Sequence, residues 1–231
     1  MILVIKRAGI LLLLMIFIVT FLILNLYSSE SVNSQITPVV VIDAGHGSPD
    51  GGAVGTKTKV QEKDLTLAIS NHIKTELEQS GVKVVMTRTD DAGIHPDENA
   101  TVKSKKQADL RERVNIANNS GASLIVSIHM NHFSDSKYSG PQMFYSKNTE
   151  GSEQLAKLLR ESIIKNIGEH CTREIKPITN ELYLLKNCRI PAVIAECGFL
   201  SNPEEEQLLS SPDYQQKIAL AIATGILEYL A

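Results

Sequence analysis

Four short runs restrict the fold more than any other feature: VVVID (Val39 to Asp43), VKVVMTR (Val82 to Arg88), ASLIVSIHMN (Ala122 to Asn131) and PAVIAEC (Pro191 to Cys197). A strand with one face in water alternates apolar and polar residues. A short run that is apolar at successive positions is what a parallel sheet covered on both faces demands. The stretches between these runs have the other period. EKDLTLAISNHIKTELEQSG sets Leu65, Ile69, Ile73 and Leu77 on one helical face and stops at Gly81, a residue suited to a left-handed cap. ADLRERVNIANNSG, SEQLAKLLRESIIKNIG and DYQQKIALAIATGILEYLA also read as helices, and PQMFYS and LYLLK as further strands. Such alternation predicts an α/β sandwich built on a mainly parallel sheet. The segment from about Thr89 to Gln107 has no period and reads as a long loop, its KSKK run (Lys103 to Lys106) as a solvated charge cluster.

The first residues are of another kind. Lys6 and Arg7 precede an uncharged stretch, 8–26, long enough for roughly 28 Å of helix. The expected organisation is a basic cytoplasmic end (1–7), a transmembrane signal-anchor (8–26), a polar tether (27–38) and one catalytic domain (39–231). A cleaved signal peptide, cut near Ser28 to Ser31, is the competing reading and would give a secreted protein. In either case the positive-inside rule places the domain on the extracytoplasmic side. A net charge of -3 excludes the dense basic field of a nucleic-acid binder. Three cysteines are too few for a disulfide framework; a Cys171–Cys188 bridge and free thiols both remain open.

Reactive groups in such folds gather at the carboxyl ends of the strands. Here those ends deliver His46, His129 and Glu196, and Glu62 opens the first long helix, where the helix dipole favours a carboxylate. Two imidazoles and one carboxylate leave a tetrahedral zinc one open position, which is the pattern of a catalytic site. Glu196 would then serve as general base. Other candidates fit less well. His132 follows His129 at an odd offset, which points it to the opposite sheet face if the strand continues, a turn after Met130 being the alternative that would bring it back, and His72 lies roughly 80° around the helix from Glu62. His95 and His170 fall in polar loops, and Cys197 has no evident base beside it. Asp50, Arg113 and Asn131 are further candidates for substrate contact.

VVIDAGHGSPDGGAVG, EKDLTLAI, LRERVNIAN, SIHMN and PAVIAECGFLSNPEE, in that order, resemble the successive motifs of the zinc-dependent N-acetylmuramoyl-L-alanine amidases of the type 3 family. The resemblance spans about Val39 to Leu230. It implies one zinc held by His46, Glu62 and His129, with Glu196 as the catalytic glutamate and a twisted six-stranded sheet flanked by helices. The reaction implied is hydrolysis of the amide between the lactyl group of N-acetylmuramic acid and L-alanine in peptidoglycan. A lone catalytic domain behind an apolar segment is similar to the germination-specific amidases of spore formers, which strip stem peptides for muramic-δ-lactam formation in the cortex. The alternatives are a general amidase of wall turnover and a zinc-dependent peptidoglycan deacetylase or peptidase. A protein activator is a further candidate partner.

Overall fold

The computed structural model describes residues 9–10, 12–22, 37–94, 99–168, 171–178 and 182–231. The chain divides into two units, Met1–Ile36 and Thr37–Ala231. In the first, residues 9–10 and 12–22 are helical, with exposed apolar side chains such as Leu13 and Phe17. Among the described residues no helix is long and apolar enough to cross a membrane. The remainder of the expected anchor and most of the expected tether lie outside the described residues.

The second unit carries a six-stranded sheet: β1 (Val39–Ala44), β2 (Lys83–Met86), β3 (Leu124–Asn131), β4 (Gln142–Ser146), β5 (Lys176–Ile178) and β6 (Ala192–Phe199). Their order is β2-β1-β3-β6-β4-β5, parallel throughout except where β4 runs antiparallel to β6. The mainly parallel α/β fold expected from the sequence is the one observed.

The alternation of side chains along each strand sorts residues onto two faces. Val40, Ile42, Leu124, Val126, Ile128, Val193 and Ala195 make one, under α1 (Glu62–Gln79), α3 (Ser152–Ile167) and α6 (Pro212–Leu230). Leu65, Ile69, Ile73 and Leu77 are all buried there, as their spacing predicts. Val41, Ile125, Ala192 and Ile194 make the other face, under α2 (Val102–Asn119) and α4 (Tyr183–Asn187). A short α5 (Pro203–Leu209) follows β6. Cys171 belongs to the first core and Cys188 to the second, so the sheet separates them; both thiols are free, as is that of Cys197.

Two segments take a different form from the one read in the sequence, and β5 and α5 are not read there at all. LYLLK is the helix α4: Leu184 and Leu185 cover the sheet from a single turn, closed by the Cys188 amide donating to the Leu184 carbonyl (3.0 Å). The expected loop before Gln107 is already helix from Val102, where the Thr101 hydroxyl accepts from the Ser104 amide at 3.3 Å. Only Arg113, Val114 and Ala117 of α2 are buried, too few for a hydrophobic period to show.

Candidate metal centre

On the face under α2 and α4, each central strand changes from apolar to polar as it nears its carboxyl end. Val41 gives way to Asp43, Ile125 to Ser127 and His129, and Ile194 to Glu196. Asp43 pairs in register with Ser127, and His129 with Glu196. Asp43 is buried and accepts from the Arg113 guanidinium (2.5 Å), the Thr87 hydroxyl (2.7 Å) and the Ser127 hydroxyl. Burial alone would raise its carboxyl, but the Arg113 charge and the two hydroxyls together outweigh it and hold the group at about 2.

Past Asp43 the chain turns sharply, and His46 takes a left-handed φ of 62°. A non-glycine residue keeps that conformation only where its surroundings enforce it. Here the enforcement comes from two buried arginines. Arg88 donates to the carbonyls of Ala44 (2.9 Å) and Gly45 (3.0 Å), and Arg113 to those of Ala44 (2.7 Å) and His46. Two glycines clear the space inside the turn. A Cβ on Gly45 would stand 2.5 Å from His129 Cε1, and one on Gly52, itself at φ +68°, 2.5 Å from Glu62 Oε2.

Glu62, the first residue of α1, is 3% exposed and lies between two imidazoles. Its Oε1 accepts from the Met130 amide (2.9 Å) and faces His129 Nδ1 at 3.0 Å; its Oε2 accepts from the Ala53 amide (2.8 Å) and faces His46 Nε2 at 3.1 Å. Burial works against this charge, but the contacts with His129 and His46 prevail and keep the carboxyl far below its usual range. For His129, burial would lower the value, and the Glu62 carboxylate reverses this and lifts it to about 9. His46 Nδ1 meets Asp50 Oδ2 at 3.0 Å, a contact that orients the ring with Nε2 toward Glu62.

One donor atom from each of His46, Glu62 and His129 lies within 4.8 Å of the others. Two imidazole nitrogens and a carboxylate oxygen suit zinc better than the hard, oxygen-seeking cations. Beside them Glu196 Oε2 is buried without a hydrogen-bond partner among the described residues, a costly arrangement for a group with no further ligand to meet. Burial pushes its carboxyl up to about 7; His129 and His46 pull the other way, and the nearby Glu62 adds to the rise. The donor set and this orphaned oxygen both fit a metal-binding role.

The other sequence candidates are distributed around this core. Asp50 touches His46 and also pairs with Lys106 Nζ at 2.8 Å. Asn131 ends β3, its side-chain oxygen accepting from the His132 amide at 2.9 Å. Arg113 is 2% exposed, and its donors go to Asp43, Asp109 and the carbonyls of Ala44 and His46, so it holds the turn while also lining the cavity beside the donors. His132 is exposed, and neither it nor His72 joins the donor group. His95 and His170 lie outside the described residues. Burial pushes the Cys197 thiol far above its usual range, which leaves it inert as a nucleophile. Sequence reasoning missed Arg88 and Lys106. The former ends a strand with no distinguishing pattern, and the latter falls in a run that reads as solvated.

A cavity of about 350 Å³ opens beside the donors, between the ends of β1 and β3 and the helices α2 and α4. His46 and His129 form part of its lining, and Lys105, Lys106, Leu110, Leu182 and Tyr183 stand around it.

Comparison with known proteins is consistent along the whole second unit. The N-acetylmuramoyl-L-alanine amidase family model (Amidase_3) matches residues 40–228. The germination-specific N-acetylmuramoyl-L-alanine amidase of Bacillus subtilis is 41% identical over 191 residues, covering 83% of this chain and 79% of that one. Among solved structures, the CwlD amidase from Clostridioides difficile, determined in complex with the GerS lipoprotein, superposes with a TM-score of 0.80 at 42% identity, covering 84% of this chain and 98% of that one. The catalytic domain of CwlV, from Bacillus (Paenibacillus) polymyxa, gives 0.71 at 34% identity over 84% and 98%.

Proposed function

The chain belongs to the N-acetylmuramoyl-L-alanine amidase family, and from that premise we propose how its residues carry out the reaction and where it is used. It is an amidase of peptidoglycan, cleaving the bond between the muramic acid lactyl group and L-alanine. His46 through Nε2, Glu62 and His129 through Nδ1 are the residues that would hold one zinc ion. When bound, the ion supplies Lewis acidity, which brings the pKa of a water to about 7 and polarises the scissile carbonyl. Glu196 accepts the proton of the attacking water and delivers it to the departing L-alanine nitrogen. Burial, which raises the Glu196 carboxyl above its ordinary range, suits it to take up and release that proton. Asp50 keeps His46 in one tautomer, and Asn131, at the end of β3, is a contact for substrate. The cavity beside the donors takes the anionic stem peptide, whose carboxylates match Lys105 and Lys106 on its wall.

The observation that carries this reading is the buried, unpartnered Oε2 of Glu196 directly across the ladder from His129. Mass spectrometry of peptidoglycan digested with the zinc-loaded protein tests it. Free stem peptides with an L-alanine amino terminus are expected; released acetate would indicate a deacetylase, and internally cut stems a peptidase.

The biological setting is taken from the relatives. Similarity to a germination-specific amidase supports a role in removing stem peptides ahead of muramic-δ-lactam formation in spore cortex. Cortex lacking muramic-δ-lactam in a strain without this protein is the expected result, and normal lactam content would favour general wall turnover. The lipoprotein complex of the C. difficile relative supports a protein partner here as well. The apolar segment 8–26 serves as a membrane anchor that leaves residues 39–231 on the wall side, with signal cleavage and secretion as the alternative.

A further inference from the structure

The peptidoglycan amidase reading requires more of the surface than the donor cluster uses, because the scissile amide hangs from one sugar of a long glycan. A polymer held only at the bond to be broken is poorly oriented, and orientation is a large part of catalysis. The stem peptide has the cavity under α2 and α4. None of Phe133, Tyr138 and Phe199 lines that cavity.

These three rings form a cluster at the outer end of β3 and β6. Phe133 meets Tyr138 edge-on (centroids 5.2 Å apart, 85°) and Phe199 at 5.3 Å. Phe199 is fully buried, whereas Phe133 is 43% and Tyr138 39% exposed. The exposed pair is held firmly. The Phe133 amide donates to Ser201 Oγ (3.1 Å), and Asn202 Nδ2 donates to the Tyr138 carbonyl (3.3 Å). Arg173 lies over the Phe199 ring at 4.9 Å and the Tyr138 ring at 6.0 Å, and both its Nε (3.0 Å) and Nη2 (2.8 Å) donate to Gln142 Oε1. Gln142 is in turn the register partner of Glu196 on β4. The cluster is thereby tied to the strand that carries the general base.

Its place follows from the ladder. Phe199 comes three residues after Glu196 across a shift in the β3 register, so it stands level with Asn131, roughly 7 Å farther along the ladder than His129. That is within reach of the muramic acid ring, outward from the reacting carbonyl. Exposed, rigidly supported aromatic rings on a soluble domain mark a binding surface. Flat apolar ring faces suit the C–H face of a pyranose, and adjacent polar groups suit its hydroxyls.

We propose that Phe133 and Tyr138, supported by Phe199 and Arg173, form a stacking platform for the glycan strand of the substrate, a glycan subsite separate from the peptide cavity. This rests on the amidase reading, and the test separates the two. Full-length protein with Phe133→Leu and Tyr138→Leu, singly and together, is compared with wild type in cosedimentation with peptide-free glycan strands. The kcat/KM on intact peptidoglycan is then divided by that on a monomeric muramyl peptide. The double variant should lose about 10-fold or more in glycan binding and in that ratio, since each aromatic stack contributes a few-fold. Tyr138→Phe, which keeps the ring, should stay within about twofold. If the double variant melts early, Tyr138→Leu alone carries the same comparison. Glycan binding and a ratio equal to wild type would overturn the platform, as would a patch that instead serves a protein partner and leaves glycan binding untouched. A wild-type protein that frees no stem peptide from either substrate would overturn the amidase reading itself.

Discussion

Glu196 and His129 stand directly opposite each other on adjacent parallel strands, and the Glu196 oxygen Oε2 is buried there without a partner. Replacing this carboxylate by an amide keeps its volume and removes its basicity. Glu196→Gln should bind zinc as wild type does and lose on the order of 10²- to 10⁴-fold in kcat. Zinc content and amide cleavage measured on one preparation check this, and retained turnover would refute the assignment.

The same substitution changes the pH dependence of stability in chelator-treated protein. The folded value of about 7 lies above the ordinary 4.5, so between them the folded chain holds a proton that the unfolded chain has released. The contribution of Glu196 is fully present below pH 4.5 and is lost as pH rises to about 7. Melting curves should therefore show wild type falling relative to Glu196→Gln across that window and running parallel to it above.

In the proposed zinc site Asp50 reaches the metal through the His46 ring. Asp50→Ala should weaken zinc binding by about 10- to 100-fold in competition with a chelator while the fold is retained. His46→Ala and His129→Ala should go further and abolish stable binding, because two remaining ligands hold a catalytic metal poorly.

Arg113 is a matter of stability. Arg113→Met would leave the Asp43 carboxylate buried without its counter-charge and should cost about 3–5 kcal/mol in denaturant unfolding. Arg113→Lys should recover little, since one ammonium cannot reach Asp43, Asp109 and two carbonyls at once.

Glu206 contributes to the acid limb, as Asp43 and Glu62 do. It is fully buried and accepts from the Lys57 and Thr58 amides and from the hydroxyls of Thr56 and Thr58, which overcome the burial penalty and hold it at about 2. A depressed folded value gives stability that is present above pH 4.5 and lost as pH falls toward 2. Glu206→Gln should accordingly flatten the acid side of a stability-versus-pH curve by about 3 kcal/mol.

Much of this was legible in the sequence because the central strands are covered on both faces and therefore announce themselves as unbroken apolar runs. The buried stripe of α1 was equally plain at Leu65, Ile69, Ile73 and Leu77. His129 and Glu196 stood out because each interrupts such a run at its carboxyl end, and His46 because it follows one closely between two glycines. The start of α2 was hidden because its buried residues are few and one of them is an arginine. β5 was hidden by its length of three residues, and α4 because a pair of leucines serves a strand or a helical turn equally well. The partners of the site were the least visible part. Arg113 reaches Asp43 across 70 positions of sequence, and nothing local to either residue marks the contact.

The arginines that hold the carbonyls of residues 44–46 have a consequence for how zinc would enter the proposed site. The entropy of ordering the ligand loop is spent when the domain folds, so metal entry finds a finished socket. Chelation should thus be a shallow event, reversed by added zinc as fast as the ion can lose its water, with no refolding phase.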